Sequence, residues 1–237
     1  MRVPSQNAIG ATSIARASAY WIGEAVSTPL SALGFAATSL LARKLVAMLA
    51  GSSELFRVAN FGDLQVWDRP LVSVVASTLD TTLLDPTNAG ITDVKPASLT
   101  NGLTTIPPLL DFQNQVGQVL AAISGGSPTK PVLIVSLQTA LRLAALPTLT
   151  DYVKVLVSPA TTNKLIAIDA DGVGFVDDGG TVDIGTPDIE MSDTPANPNV
   201  ASTVMISSWQ RNLKVLRCTR WVNWTKRPDA VAMLMLA

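Results

Sequence analysis

The sequence predicts an α+β fold, with helices and strands mixed but not in regular alternation, and three observations carry that reading. Leu71, Val74, Val75, Leu79 and Leu83 recur at helical spacing behind Pro70. The apolar run PVLIV is flanked on both sides by segments with helical patterning. From residue 203 to 236 the chain reads as long strands. With 237 residues, 48% of them hydrophobic and 15% charged, it can bury a substantial core as one large domain or two small ones, and its composition excludes disorder.

Residues 1 to 19 are small and polar, with neither helical nor strand periodicity, and predict an extended arm. From Tyr20 to Leu49 two apolar stretches flank a middle containing Pro, Ser and Gly, which suits a two-stranded excursion, although LLARKLVAMLA alone also fits a helix. Pro70 is expected in the first turn of a helix that Asp85-Pro86 ends, with Phe56 to Trp67 as a helical extension that breaks or kinks at Pro70. Residues 86 to 110 read as loop and short strand. Asp111 is an N-cap candidate for a helix whose Val116, Val119, Leu120 and Ile123 share a face and which Gly125-Gly126 closes. PVLIV is a buried strand. Ser136 caps a third helix, stopped by Pro147, and YVKVLV and KLIAIDA are short strands. The strand Trp209 to Trp224 carries Arg211, Lys214, Arg217 and Arg220, and a turn at Lys226 to Asp229 leads into AVAMLMLA.

Composition removes several classes of function. The chain has no histidine, so no imidazole base or imidazole metal site is available. Its single cysteine, Cys218, closes no disulfide within the chain, which fits a reducing compartment. A balance of 17 basic and 18 acidic side chains argues against gripping a phosphate backbone by bulk charge. Mean hydropathy is +0.35, yet the best candidate for a span, the uncharged stretch Ala25 to Ala42, contains Pro29 and Gly34 and runs into Arg43-Lys44, so no membrane span is expected. The start MRVPSQNAIG lacks a basic region followed by an apolar core, and no secretory signal is expected. A hydrophobic, weakly charged chain without a span implies a surface largely covered by partners.

Charge is segregated along the chain. No basic residue lies between Lys164 and Arg211, while Asp169, Asp171, Asp177, Asp178, Asp183, Asp188, Glu190 and Asp193 fall there. An EF-hand counted from Asp169 would place Val173 and Gly180 at its fifth and twelfth positions, so a solvated acidic loop, facing water or a neighbour's basic strand, is the simpler reading. Asp177-Asp178 shows no sign of two separated carboxyl roles. Gly172 and Gly174 lack the third glycine of a dinucleotide loop, and neither a phosphate loop nor a GxSxG elbow occurs. Cys218 beside Arg217 and Arg220 reads as a packed strand residue before a reactive thiol. Trp209, Trp221 and Trp224 read as core and subunit packing before a platform for single-stranded nucleic acid. No catalytic, cofactor-binding or metal-ligating residue is assigned.

The segment AYWIGEAVSTPLSALGFAATSLLARKLVAMLAGSSELF resembles the N-terminal signature of the tailed-phage major capsid protein family, the shell fold named after phage Hong Kong 97. The matching residues are Trp21, Gly23 and Glu24; Pro29; Phe35; Lys44 and Leu45; and Ser52, Glu54 and Leu55. The run Leu79 to Leu84, the loop with Pro96 and Gly102, the helix 112 to 124, VLIVSLQTALRLAAL and the closing WQRNLKVLRCTRWVNWTKRPDAVAML follow in the family's order, over nearly the whole chain. The resemblance implies an N-terminal arm (1–19), an extended loop (20–50), a spine helix with the first part of a peripheral domain (51–130), an axial domain (131–200) and the return strands of the peripheral domain (201–237). It implies self-assembly into hexamers and pentamers of an icosahedral phage head around packaged double-stranded DNA, built in the host cytoplasm, with scaffold, portal and decoration proteins as further partners, weak contact with DNA and no cofactor.

Family members often carry about a hundred further N-terminal residues that act as a scaffold and are removed, so either a separate scaffold or a trimmed form is expected here. Some relatives are cross-linked through a lysine of the extended loop; Tyr20 to Ala42 contains none, and no such link is expected. Trp21, Glu24, Arg43, Lys44, Arg217 and Arg220 are the candidate assembly contacts. The alternatives are an encapsulin-like nanocompartment shell and, from another class, a soluble metal- or sugar-binding module using residues 169–190.

Overall fold

The computed structural model describes residues 8–13, 35–58, 65–108, 111–144, 153–190, 192 and 203–236. The chain divides into two compact units, one of Met1–Arg43, Asp80–Asp177 and Asn223–Ala237, the other of Lys44–Leu79 and Asp178–Val222. PVLIV packs with the helix that precedes it. The architecture is α+β, as expected.

The first unit is built on β4 (Pro131–Val135), β5 (Lys154–Val157), β6 (Lys164–Asp169) and β11 (Val231–Met235), in the sheet order β11-β6-β4-β5. β4 runs parallel to β5 and antiparallel to β6, which is antiparallel to β11. A parallel pair needs a crossover, and α4 (Leu137–Ala144) supplies it. Asp111 caps α3 (Phe112–Ala122) as expected, its carboxylate accepting the Gln113 N–H at 3.2 Å from a backbone at φ −98° that is already non-helical. α3 ends at Ala122, where Ile123 takes an extended backbone, so Gly125 and Gly126, expected to close it, fall in the short 3-10 turn that follows, at φ +64° and +81°. Val116, Val119 and Ile123 lie against Leu133, Val135, Leu165, Ala167 and Leu234 in one buried cluster. Each of the Val, Leu and Ile side chains contributes about 1.5–3 kcal/mol through burial.

Two expectations fail near the N-terminus. The arm contains a strand, β1 (Ala8–Ser13), antiparallel to β2 (Phe35–Leu40), with Ala8 opposite Leu40 and Ser13 opposite Phe35. Small residues give no strand periodicity, because backbone pairing rather than side-chain burial forms the ladder. Nor do the two stretches of the excursion form a hairpin within the described residues: β2 pairs with the arm, and LLARKLVAMLA forms a strand, β3 (Arg43–Ser52), not a helix. Residues 20–34, including Trp21 and Glu24, lie outside the described residues, as do Pro147 and Asp193.

The second unit rests on a three-stranded sheet in the order β3-β10-β7, with β7 spanning Val173–Gly185 and β10 Leu213–Lys226. A short antiparallel pair, β8 (Asp188–Ile189) with β9 (Ile206–Ser207), stands before β10. Leu45, Ala47 and Leu49 turn one way along β3 and meet Leu216 and Cys218 of β10, Phe56 of α1 (Ser53–Val58), and Leu71, Val75 and Leu79 of α2 (Gln65–Leu84). Lys44, Val46 and Met48 turn the other way and stay exposed. Cys218 is thus a small apolar core residue, 6% exposed. Pro70 is the sixth residue of α2, not a first-turn residue, and the helix accommodates it at the cost of one backbone hydrogen bond. Asp177, Asp178 and Asp183 of the acidic tract likewise lie on a strand, β7, and not in a loop; a strand exposed on both sides tolerates the polar residues and glycines that read as loop.

Leu165→Ala is expected to destabilise the chain by about 2–5 kcal/mol, and Leu141→Ala, at a helical position 68% exposed, to change it by under about 0.5 kcal/mol. Urea denaturation of the two variants measures the difference; equal losses would contradict this placement of the core.

Candidate functional site

The candidate assembly residues fall in three places. Lys44 and Arg217 lie on the face of the β3-β10-β7 sheet turned away from α2. Arg217 is exposed and pairs with Asp183 of β7 at 3.2 Å. Alternation along β10 puts Arg220 on the opposite face, with Leu216 and Cys218. Arg43 belongs to the first unit, where its guanidinium meets Asp93 at 2.8 Å. Trp21 and Glu24 cannot be placed among the described residues.

Arg43 and Asp93 border a cavity of about 470 Å³, lined also by Leu40, residues 89–92 and 95–99, and Asn223 to Lys226. Its wall is held by the end of β10. The Trp224 indole N–H donates to the Ala97 carbonyl at 2.7 Å and the Asn223 amide to the Leu41 carbonyl at 2.6 Å, while the Lys226 ammonium reaches the carbonyls of Leu99 and Asn101. Phe175 stacks on Trp224 with ring centroids 6.4 Å apart. Burial pushes the Lys226 ammonium below its ordinary pKa, since its partners are neutral carbonyls. Trp224 thus serves as a fastener for the 86–108 loop, a role that its place in an alternating strand did not reveal.

Asp169 is the buried acid of the tract. Its carboxylate accepts the Ser124 hydroxyl, the Lys130 N–H at 3.1 Å and the Thr129 and Asp171 N–H groups at 3.4 Å, with the Arg227 guanidinium 3.7 Å away. Arg227 also donates to Ser124 and Asp229. Burial raises the Asp169 pKa, but the hydrogen bonds from Ser124, Lys130, Thr129 and Asp171 outweigh it and hold the carboxyl below its ordinary value. One carboxylate thereby ties together the chain after α3, the entry to β4 and the approach to β11. Gly172 fits the same corner: a Cβ there would lie 2.5 Å from that of Ala230. Close packing, not a dinucleotide, accounts for this glycine.

Among the described residues no group of three or more Asp, Glu or Cys side chains is placed to hold a metal. No described helix is long and apolar enough to cross a membrane. The open chemistry of this chain lies in its surfaces: exposed strand edges, apolar side chains facing solvent, and segregated charge.

The four-stranded and three-stranded sheets, the long α2 and the strand-paired arm give the chain an α+β fold of the Hong Kong 97 type, as likeness to solved structures shows. Solved structures of Mycobacterium phage Bobi and Microbacterium phage Oxtober96 each match the whole chain with a TM-score of 0.67 at 14% identity, over 87% and 88% of their own chains. The capsid of a native GTA particle matches 99% of the chain, over 86% of its own, with a TM-score of 0.58 at 12% identity. These likenesses establish the fold. In sequence, the chain is 29% identical to the capsid polyprotein of Pseudomonas phage PAJU2 over 91% of its length, and it spans 37% of that relative. No family model matches the chain.

The Asp169 network has a pH dependence of definite sign. A carboxylate with a depressed folded pKa stabilises fully above its unfolded value of about 3.9, and that contribution is lost as pH falls through the lower folded value. Asp169→Asn is expected to lower stability at pH 7 by about 1–3 kcal/mol and to differ less from the parent below about pH 3. Thermal unfolding across pH checks this; a constant gap would contradict it.

Proposed function

We propose that the chain is a structural shell subunit of a phage head, self-assembling into hexamers and pentamers of a closed particle around packaged double-stranded DNA. The observation that carries this reading is the concurrence of a 29% identical capsid polyprotein with a fold matched over the whole chain by phage structures. Exposed apolar residues support it: Leu137 and Leu141 on α4, Leu156 and Val157 on the edge strand β5, and Val46 and Met48 on β3 all face solvent in a single chain. Contiguous patches of this kind mark interaction surfaces. The encapsulin-like shell shares the fold but has no observation of its own in favour, and the metal- or sugar-binding module loses its loop to β7.

In this reading the unit containing α2 is the peripheral domain, and the unit of 80–177 and 223–237 is the axial domain, in place of 131–200. The arm (1–19) and the extended loop (20–50) reach neighbouring subunits. Arg43, Lys44, Arg217 and Arg220, with Trp21 and Glu24, make polar contacts between subunits. Localisation in the virion follows from the shell role; assembly takes place in the host cytoplasm, with scaffold and portal proteins and weak contact with DNA. Subunits are not cross-linked through the extended loop, which has no lysine between Tyr20 and Ala42.

Light scattering with negative-stain imaging tests the assignment: closed megadalton particles are expected, and a stable monomer or dimer at high concentration would refute it. Arg43→Glu is expected to reduce particle yield. Because Arg43 already pairs with Asp93, restoration by a second change, Asp93→Lys, would show that the internal pair, and not a contact between subunits, is what assembly needs.

A further inference from the structure

Trp209 is 79% exposed, and Val204 and Met205, a few residues earlier in the chain, are 73% and 48% exposed. A tryptophan buries about 150–250 Å² when it packs, so one left in water is a conspicuous unused contact. Its turn is well fixed. The Arg211 N–H donates to the Ser207 carbonyl, the Asn212 N–H to the Trp209 carbonyl and the Leu213 N–H to the Ser208 carbonyl, at 3.2, 3.2 and 2.8 Å. The buried Ser208 hydroxyl donates to the Pro187 carbonyl at 2.6 Å. A held turn loses little conformational freedom on binding.

The same unit carries a cavity of about 410 Å³ between Met48, Ile184, Pro187, Ile189 and Val215, with Arg217 and Asp183 paired at its rim and Asp188 exposed beside them. An apolar floor within a polar rim is the anatomy of a site for an aromatic anchor. Arg217 stands where a guanidinium can lie over an indole. The cavity belongs to the acidic tract, and Arg211, two residues from Trp209, is the first basic residue after that tract. Trp209 does not fill the cavity of its own chain, since its ring is in solvent although its neighbour Ser208 is bound to Pro187.

We propose that Trp209 of one copy inserts into the Met48, Ile184, Ile189 and Val215 cavity of another copy, with Arg211 meeting the acids at the rim. Knob and cavity are different patches of one surface, so the contact is heterologous and every subunit both gives and receives it. Contacts of that kind build rings and closed shells. The proposal rests on the shell reading and specifies one of its contacts.

The test uses the full chain. Gln210→Cys and Thr186→Cys chains, which keep Trp209 and the apolar lining, are mixed, assembled and oxidised; the native Cys218 is buried and gives little background. Disulfide-linked dimers joined through positions 210 and 186 are expected in particles and not in unassembled chains. Trp209→Ala should fold with the parent's thermal midpoint but reduce particle yield at least about tenfold, ~1.4 kcal/mol per contact. Particles of the mixed chains that form without that disulfide, or a Trp209→Ala chain that assembles like the parent, overturn the knob contact and leave the shell reading intact. Loss of assembly in Trp209→Ala without the disulfide in particles of the Gln210→Cys and Thr186→Cys mixture places the knob on another partner and also overturns it. Failure of the parent chain to form any particle overturns the shell reading itself.

Discussion

Apolar side chain in excess of what two small cores can hold is the constraint on which the rest of this structure depends. Leu216, Cys218, Leu71 and Val75 fill one core, and Val119, Leu133, Leu165 and Leu234 fill the other. Beyond them the chain still shows water the apolar faces of α4 and β3 and the aromatic turn at 209. Isolated exposed leucines are ordinary in any protein. Paired leucines one helical turn apart, a bare edge strand with Leu156 and Val157, and a tryptophan on a fixed turn are not, and they explain why a chain with 15% charged residues needs a partner surface.

Polar groups inside the units are correspondingly few and well used. Asp169 satisfies the chain at three corners of the first unit, and Asn223, Trp224 and Lys226 fix the 86–108 loop by donating to backbone carbonyls. Each of these donors and acceptors is buried or half-buried, where an unmade bond is costly, so they select one arrangement of loops around an apolar core. The acids left on β7 instead face solvent. There they keep an exposed strand from pairing with indiscriminate partners and set the sign of charge that a specific partner must bring.

Elements whose side chains are buried on one face were legible from the sequence. The α3 cap at Asp111, the strand PVLIV, the α4 start at Ser136 and the burial of Cys218 follow from local pattern. Errors fell where backbone pairing or distant packing decides. The strand at Ala8–Ser13 exists because β2 pairs with it, which no periodicity among small residues records. Pro70 inside α2 is tolerated because Leu71, Val75 and Leu79 still bury. β7 read as a loop because an exposed edge strand places no apolar requirement on its side chains. Of the candidate contacts, Lys44 and Arg217 share a face by alternation alone, whereas the internal partner of Arg43, Asp93, lies far along the chain and carried no signal. Trp209 and Trp224 were grouped in one strand, yet one is a solvent-facing knob and the other a buried fastener.

Hydrogen–deuterium exchange on the dissociated subunit and on the assembled particle tests most directly whether the exposed apolar surfaces are covered in assembly. The account predicts that assembly slows exchange in β7, β5 and the 203–212 turn, while amides of β4 and β6 exchange equally slowly in both states. Identical exchange at those surfaces in subunit and particle would contradict it.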